Sequence, residues 1–106
     1  MPAAPPFAID VTEESPECHR VAVSGELDMA TAPEVRAQLR RSAREAREIV
    51  LDLRDVSFID SSALSMLIGV DAESRSDGFG FALLAGVPVR RLIELCDLQD
   101  VLPVRG

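Results

Sequence analysis

The stretch EIVLDLRDVSFIDSSALSMLIGVD, residues 48–71, changes its hydrophobic period halfway along. In its first part Ile49, Leu51 and Leu53 share one face while Val50 and Asp52 take the other, the two-residue repeat of a strand. In its second part Leu64, Leu67 and Ile68 recur at helical spacing, and Ala63, Met66 and Val70 make a further apolar row at i, i+3 and i+7. Between the two, FIDSSAL (residues 58–64) places Asp60, Ser61 and Ser62 against segments that otherwise read as core. A strand that gives way to a helix over a few polar residues is half of a β-α-β unit, whose crossover allows parallel strand pairing.

The flanking sequence extends this pattern. Phe7, Ile9 and Val11 alternate with small or polar neighbours, TEESPE (residues 12–17) reads as a turn, and HRVAVSGELD (residues 19–28) supplies a second strand that Gly25 should stop. So close a pairing predicts an antiparallel hairpin. Thr31 and Glu34 in T-x-x-E spacing, with Pro33 between them, mark a helix start. Ala32, Val35, Leu39, Ala43 and Ala46 then form one narrow apolar stripe, with Arg36, Arg40, Arg41, Arg44 and Glu45 mostly outside it. After residue 77, FGFALLAG (residues 79–86) predicts a strand with Phe79, Phe81 and Leu83 on one face. Pro88 opens a last helix whose Val89, Leu92, Ile93 and Cys96 should be buried, and VLPV (residues 101–104) predicts a short closing strand. The order is β-β-α-β-α-β-α: an α/β domain with a small mixed, mostly parallel β-sheet, an antiparallel N-terminal strand and helices packed against it.

With 106 residues, 47% of them hydrophobic, the chain suits one domain spanning residues 1–106. Aromatics are 4%, with no Trp or Tyr, so the core is aliphatic and stacking platforms for single-stranded nucleic acid are scarce. The net charge of -7 argues against nucleic acid and anionic membranes, both of which need a basic patch. The arginine-rich VRAQLRRSAREAR (residues 35–47) reads instead as the solvated face of a helix. Cys18 and Cys96 lie far apart with His19 as the only histidine, too poor a set for a metal site. The opening MPAAPPFAID has neither a basic start nor a long apolar run, and no span long enough for a membrane follows, so the expected location is the cytoplasm.

At Asp60, Ser61 and Ser62 two readings compete. One is capping, since an Asp or Ser side chain accepts from the orphan N–H groups of a helix start. The other is phosphorylation of a serine hydroxyl, where a dianion would meet the positive end of the helix dipole. The residues alone favour capping, because nearly every helix needs a cap. The second helix is also unusually apolar, leaving only Ser65, Gly69 and Asp71 on its third side. This predicts a face exposed to a partner, against the alternative of a wide core contact.

In order and spacing, VSGELDMATAPEVRAQL, IVLDLRDVSFIDSSALSML and LAGVPVRRLIELCDLQDVLPV resemble the STAS-domain anti-sigma factor antagonists of bacteria. The resemblance runs from about Phe7 to Val104 and rests most on Gly25-Glu26-Leu27-Asp28 and Asp60-Ser61-Ser62. It implies a protein that, unphosphorylated, binds an anti-sigma factor serine kinase and so frees a sigma factor for transcription. Ser61 would be the phospho-acceptor, and a PP2C-type phosphatase would restore the active form. Asp28, Asp60, Ser62, Ala63, Met66 and Val70 would make the partner-binding surface. The chain would be a monomeric substrate of these enzymes, with no cofactor, no metal and no catalytic residues of its own. Many relatives have Gly where Ala63 stands, and often at Ser65; Ala should start the helix more firmly.

Catalysis has little support: IDSSA lacks the G-x-S-x-G pattern, His19 is distant, and an Asp52–Asp60 carboxylate pair exists only on paper. No glycine-rich phosphate loop follows a strand, and Gly78 and Gly80 read as turn punctuation. The stronger alternative is a STAS binding module that works without phosphorylation, as a stress-complex scaffold or a lipid-transport accessory subunit. The intact Asp-Ser-Ser triplet favours the switch.

Overall fold

The computed structural model describes residues 6–105; the first five residues of the Pro/Ala-rich opening lie outside it. Five strands and three helices follow the expected order: β1 (Ala8–Ser15), β2 (Cys18–Leu27), α1 (Ala32–Glu45), β3 (Glu48–Ile59), α2 (Ser61–Asp77), β4 (Gly80–Ala85), α3 (Val87–Leu95) and β5 (Val104–Arg105). The sheet order is β1-β2-β3-β4-β5, with β1 antiparallel to β2 and every later pair parallel. Among the described residues, no helix is long and apolar enough to cross a membrane.

The period-two residues go where alternation sends them. Ile49, Leu51 and Leu53 of β3 are at most 1% exposed and meet Val21 and Val23 of β2, Leu83 of β4, and the stripe of α1 in one cluster. Each such side chain contributes about 2 kcal/mol by leaving water. Helices α1 and α2 pack on each other as well as on the sheet, while α3 lies against β3 and β4. Glu73 of α2 accepts from Arg36 at 2.6 Å and from Arg40 at 3.1 Å, joining the outer edges of α1 and α2. Those two guanidiniums, Arg40 first, hold the Glu73 carboxyl below its ordinary range.

Four expectations are corrected here. Gly25 does not end β2, which continues to Leu27; it is the site of a register shift against β3. Its φ is +86°, and a Cβ there would stand 2.7 Å from the Phe7 nitrogen, so the chain crossing at residues 6–7 leaves room only for hydrogen. The third strand is longer than its alternation suggested, because Val56, Phe58 and Ile59 still pair with Gly25, Glu26 and Leu27. Cys96 is exposed: α3 ends at Leu95, and Cys96 caps it as the chain turns away towards Asp97 at φ 56°. Thr31 makes no side-chain cap; Asp28 takes over the start of α1.

On β3, Asp52 is buried and accepts from Arg54 through both carboxylate oxygens, at 2.9 and 2.8 Å, with Arg20 3.8 Å away. The Arg54 hydrogen bonds draw its pKa below the ordinary 3.8, against the opposing effect of burial. A carboxyl depressed on folding adds stability above its unfolded pKa and loses it as pH falls through the folded value, so acid should destabilise the fold below about pH 4. An Asp52→Asn, Glu73→Gln double variant should start less stable at pH 6 but lose less on acidification. Thermal melts between pH 6 and 2.5 test this, and parallel curves would remove both groups from the acid response.

Candidate functional site

Parallel strands β2 and β3 end side by side, with Leu27 opposite Ile59, and both continue into helices. The loop from β2 to α1 therefore lies beside the start of α2. The Asp60 N–H donates to the Leu27 carbonyl at 3.2 Å, which carries the pairing one residue past the strands.

Asp60 then joins the two segments through its side chain. It is the N-cap of α2, in extended conformation, and its Oδ1 accepts from the Ala63 N–H at 2.9 Å. Its Oδ2 accepts from the Met29 N–H at 3.1 Å, across the gap to the other loop. One carboxylate thus caps a helix and pins a neighbouring loop.

Asp28 organises that loop. Its Oδ1 accepts from the N–H groups of Ala30 at 2.9 Å and Thr31 at 3.1 Å, and its own N–H donates to the Thr31 hydroxyl at 2.9 Å. The Thr31 hydroxyl in turn donates to the Glu26 carbonyl at 2.9 Å. This is an Asx turn closing the first turn of α1, in place of the T-x-x-E box. Asp28 and Asp60 meet the same loop, one from inside and one from outside.

Ser61 and Ser62, the first two residues of α2, are both exposed. Their position adds the positive end of the helix dipole to a freely accessible hydroxyl, with a single carboxylate, Asp60, adjacent. Ala63, Met66 and Val70 are elsewhere: at 0%, 7% and 1% exposure they belong to the core. The expected partner face of α2 is therefore a wide core contact, because the sheet covers the helix from below and α1 covers it from the side. Of the three, only Met66 reaches the surface beside the serines. It borders an open groove of about 390 Å³ between the first turns of α1 and α2, together with Met29, Pro33, Arg36, Ser62 and Ser65.

Two residues of this region escaped the sequence reading. Met29 is 74% exposed and Phe58 50%, the most exposed apolar side chains of the two elements leading into the site. Met29 was visible as an apolar residue inside a polar loop. Phe58 alternates correctly for a strand, and its exposure follows from its place near the end of β3. Asp52 is engaged by Arg54, and His19, near the start of β2, is separated from the serines by most of that strand, roughly 25 Å.

Asp60→Ala should cost about 1–2 kcal/mol of stability, since it orphans both the Ala63 and Met29 N–H groups. Asp60→Asn keeps one acceptor oxygen and should lose less. Urea unfolding gives the stabilities, and faster amide exchange at Met29 in Asp60→Ala would report the released loop; unchanged exchange there would deny the cross-link.

The family model described as the STAS domain matches residues 11–106. An anti-sigma F factor antagonist of Paenibacillus polymyxa is 33% identical over 87 residues, covering 79% of this chain and 74% of that protein. A crystal structure of an anti-sigma factor antagonist from Mycobacterium paratuberculosis superposes with a TM-score of 0.83 at 30% identity, over 98% of this chain and 91% of that one. The antagonist SpoIIAA in its unphosphorylated form has a TM-score of 0.75, and the Bacillus cell fate determinant SpoIIAA in the phosphorylated form has 0.70. Both are 20% identical over 93% of this chain, covering 89% and 92% of theirs, a likeness of fold. The family model, the sequence identity and the shared fold agree: the chain belongs to the STAS domain family, alongside the anti-sigma factor antagonists.

Proposed function

We propose that this protein is an anti-sigma factor antagonist switched by phosphorylation of Ser61. Unphosphorylated, it binds an anti-sigma factor that is itself a serine kinase, and the sigma factor held by that kinase goes free. Transfer of a phosphoryl group to Ser61 ends the interaction, and a PP2C-type phosphatase reverses it. On this reading the chain works in the cytoplasm as a monomer, is a substrate rather than an enzyme, and needs no cofactor.

The observation that carries the reading is the exposure of Ser61 at the first position of α2, beside a capping carboxylate that already serves the helix. Capping and the proposed modification, which compete in the sequence, do not exclude one another: Asp60 caps, and the Ser61 hydroxyl is left accessible. The names of the relatives support the same reading. Asp28, Asp60 and Ser62 remain in the proposed docking surface, now with Met29, Pro33, Arg36 and Ser65 around the groove. Ala63 supports that surface from beneath, whereas Val70 lies in the C-terminal half of α2, away from it.

Mass-spectrometric phosphosite mapping of the protein from its native cells, with and without stress, tests the proposal. The expected result is a phosphate on Ser61 whose occupancy changes with conditions, while Ser61→Ala retains the kinase. A Ser61 that stays unmodified under every condition, in a protein that still co-purifies with a partner, would favour the scaffold or transport-subunit reading.

A further inference from the structure

A second cleft lies at the other end of the helix pair, away from Ser61. It is an open cleft of about 470 Å³ between the C-terminal halves of α1 and α2. Its volume falls within the few hundred cubic ångströms typical of small-molecule sites. Leu39 and Val70, each 1% exposed, lie at its base, with half-buried Ala43 and Phe79 beside them. Arg40, Arg44 and Arg47 line it against two carboxylates, Glu73 and Asp77, a surplus of one positive charge in a protein of net charge -7.

Those charges are not equally engaged. Glu73 already receives Arg40 and Arg36. Arg44 and Arg47 are exposed and form no ion pair or side-chain hydrogen bond with the described residues. Helix C-termini carry partial negative charge, which would oppose an anion. That opposition is only partly answered here, since Ala46 donates to the Ser42 carbonyl and both Gly78 and Phe79 donate to that of Ser74, so the arginines must outweigh the rest. Two guanidinium forks with unused donors beside an apolar floor therefore set the chemistry of the cleft.

We propose that this cleft binds a small organic anion, with a carboxylate or phosphate end on Arg44 and Arg47 and a compact apolar body on Leu39, Val70 and Phe79. The site is separate from the docking surface around Ser61, so its occupancy leaves that serine accessible.

Titration of the isotope-labelled protein with 3-phenylpropionate and phenyl phosphate, followed by amide chemical shifts, tests this. Acetate, inorganic phosphate and 3-phenylpropanol separate the contributions of head and body. The expected result is saturable shifts confined to residues 39–47 and 70–79 with at least one of the two amphiphilic anions, and roughly tenfold weaker binding of every control. Whichever anion binds more tightly identifies the head group. The Arg44→Gln, Arg47→Gln double variant should lose about as much affinity at an unchanged melting temperature, since both side chains are exposed. The proposal is overturned if neither anion gives saturable shifts there, if the alcohol or the bare ions bind as well as the amphiphiles, or if the folded double variant binds like the wild type.

Discussion

On the proposed switch, a Ser61→Glu variant should bind the anti-sigma factor kinase at least about 100-fold more weakly than the wild type while keeping its melting temperature within a few degrees. The asymmetry follows from where the charge falls. For folding, a carboxylate at the first position of α2 gains about 0.3–1 kcal/mol from the helix dipole, and repulsion from the Asp60 carboxylate offsets a similar amount. For binding, in the proposed docking mode, the same charge must be desolvated against a partner that meets Met29, the groove and the serines together. Like charges or unpaired charge brought into an interface cost several kcal/mol, and about 2.7 kcal/mol is already 100-fold. Calorimetry of each variant with the kinase, alongside thermal melts, separates the two effects. Wild-type affinity in Ser61→Glu would put Ser61 outside the interface, whatever its phosphorylation state in cells.

The largest loss of stability should come from one methyl group. Gly25→Ala adds a Cβ 2.7 Å from the Phe7 nitrogen and 2.8 Å from its Cα, backbone atoms with no rotamer to yield, at a φ of +86° that an L-residue adopts under strain. We expect a cost of about 3 kcal/mol, with the damage spreading to the start of β1. Gly78→Ala is the matched control: φ is +79° there too, but nothing stands within 4 Å, so only the conformational cost of about 1 kcal/mol applies. Urea denaturation of the pair should therefore differ by about 2 kcal/mol; equal losses would mean that the crossing at residues 6–7 moves aside freely.

The alternation of Ile49, Leu51 and Leu53 and the helical spacing of Val35 and Leu39 were enough to give the element order, because each pattern reflects burial on one side. The parallel pairing followed from the crossover lengths. The face of α2 did not follow. Its rows of apolar residues show how much of the helix avoids water, but one dimension does not say what covers it, and α1 proved to supply the cover missing from the sheet. Gly25 was misread for a related reason. A glycine inside a strand and one at its end look alike until the chain crossing at residues 6–7 is known. At the site, Asp60 was legible as a cap, since Ala63 is near in sequence. Its bond to Met29, 31 residues away, was not. Asp28 entered by resemblance alone, and its Asx turn gives that resemblance a physical cause.

The strands stand in the sheet in the order in which they occur in the chain. During synthesis, each new strand can therefore join an edge that already exists, and no early segment waits for a late one to be inserted between its neighbours. Every residue around Ser61, from Asp28 to Ser65, precedes β4. The proposed docking surface is thus encoded ahead of β4, and the residues from β4 onward extend the sheet at the far edge. Pulse-labelled nascent chains should acquire protease resistance in stages along β1 to β5, and the vulnerable interval is the one in which β3 is formed but not yet covered by β4.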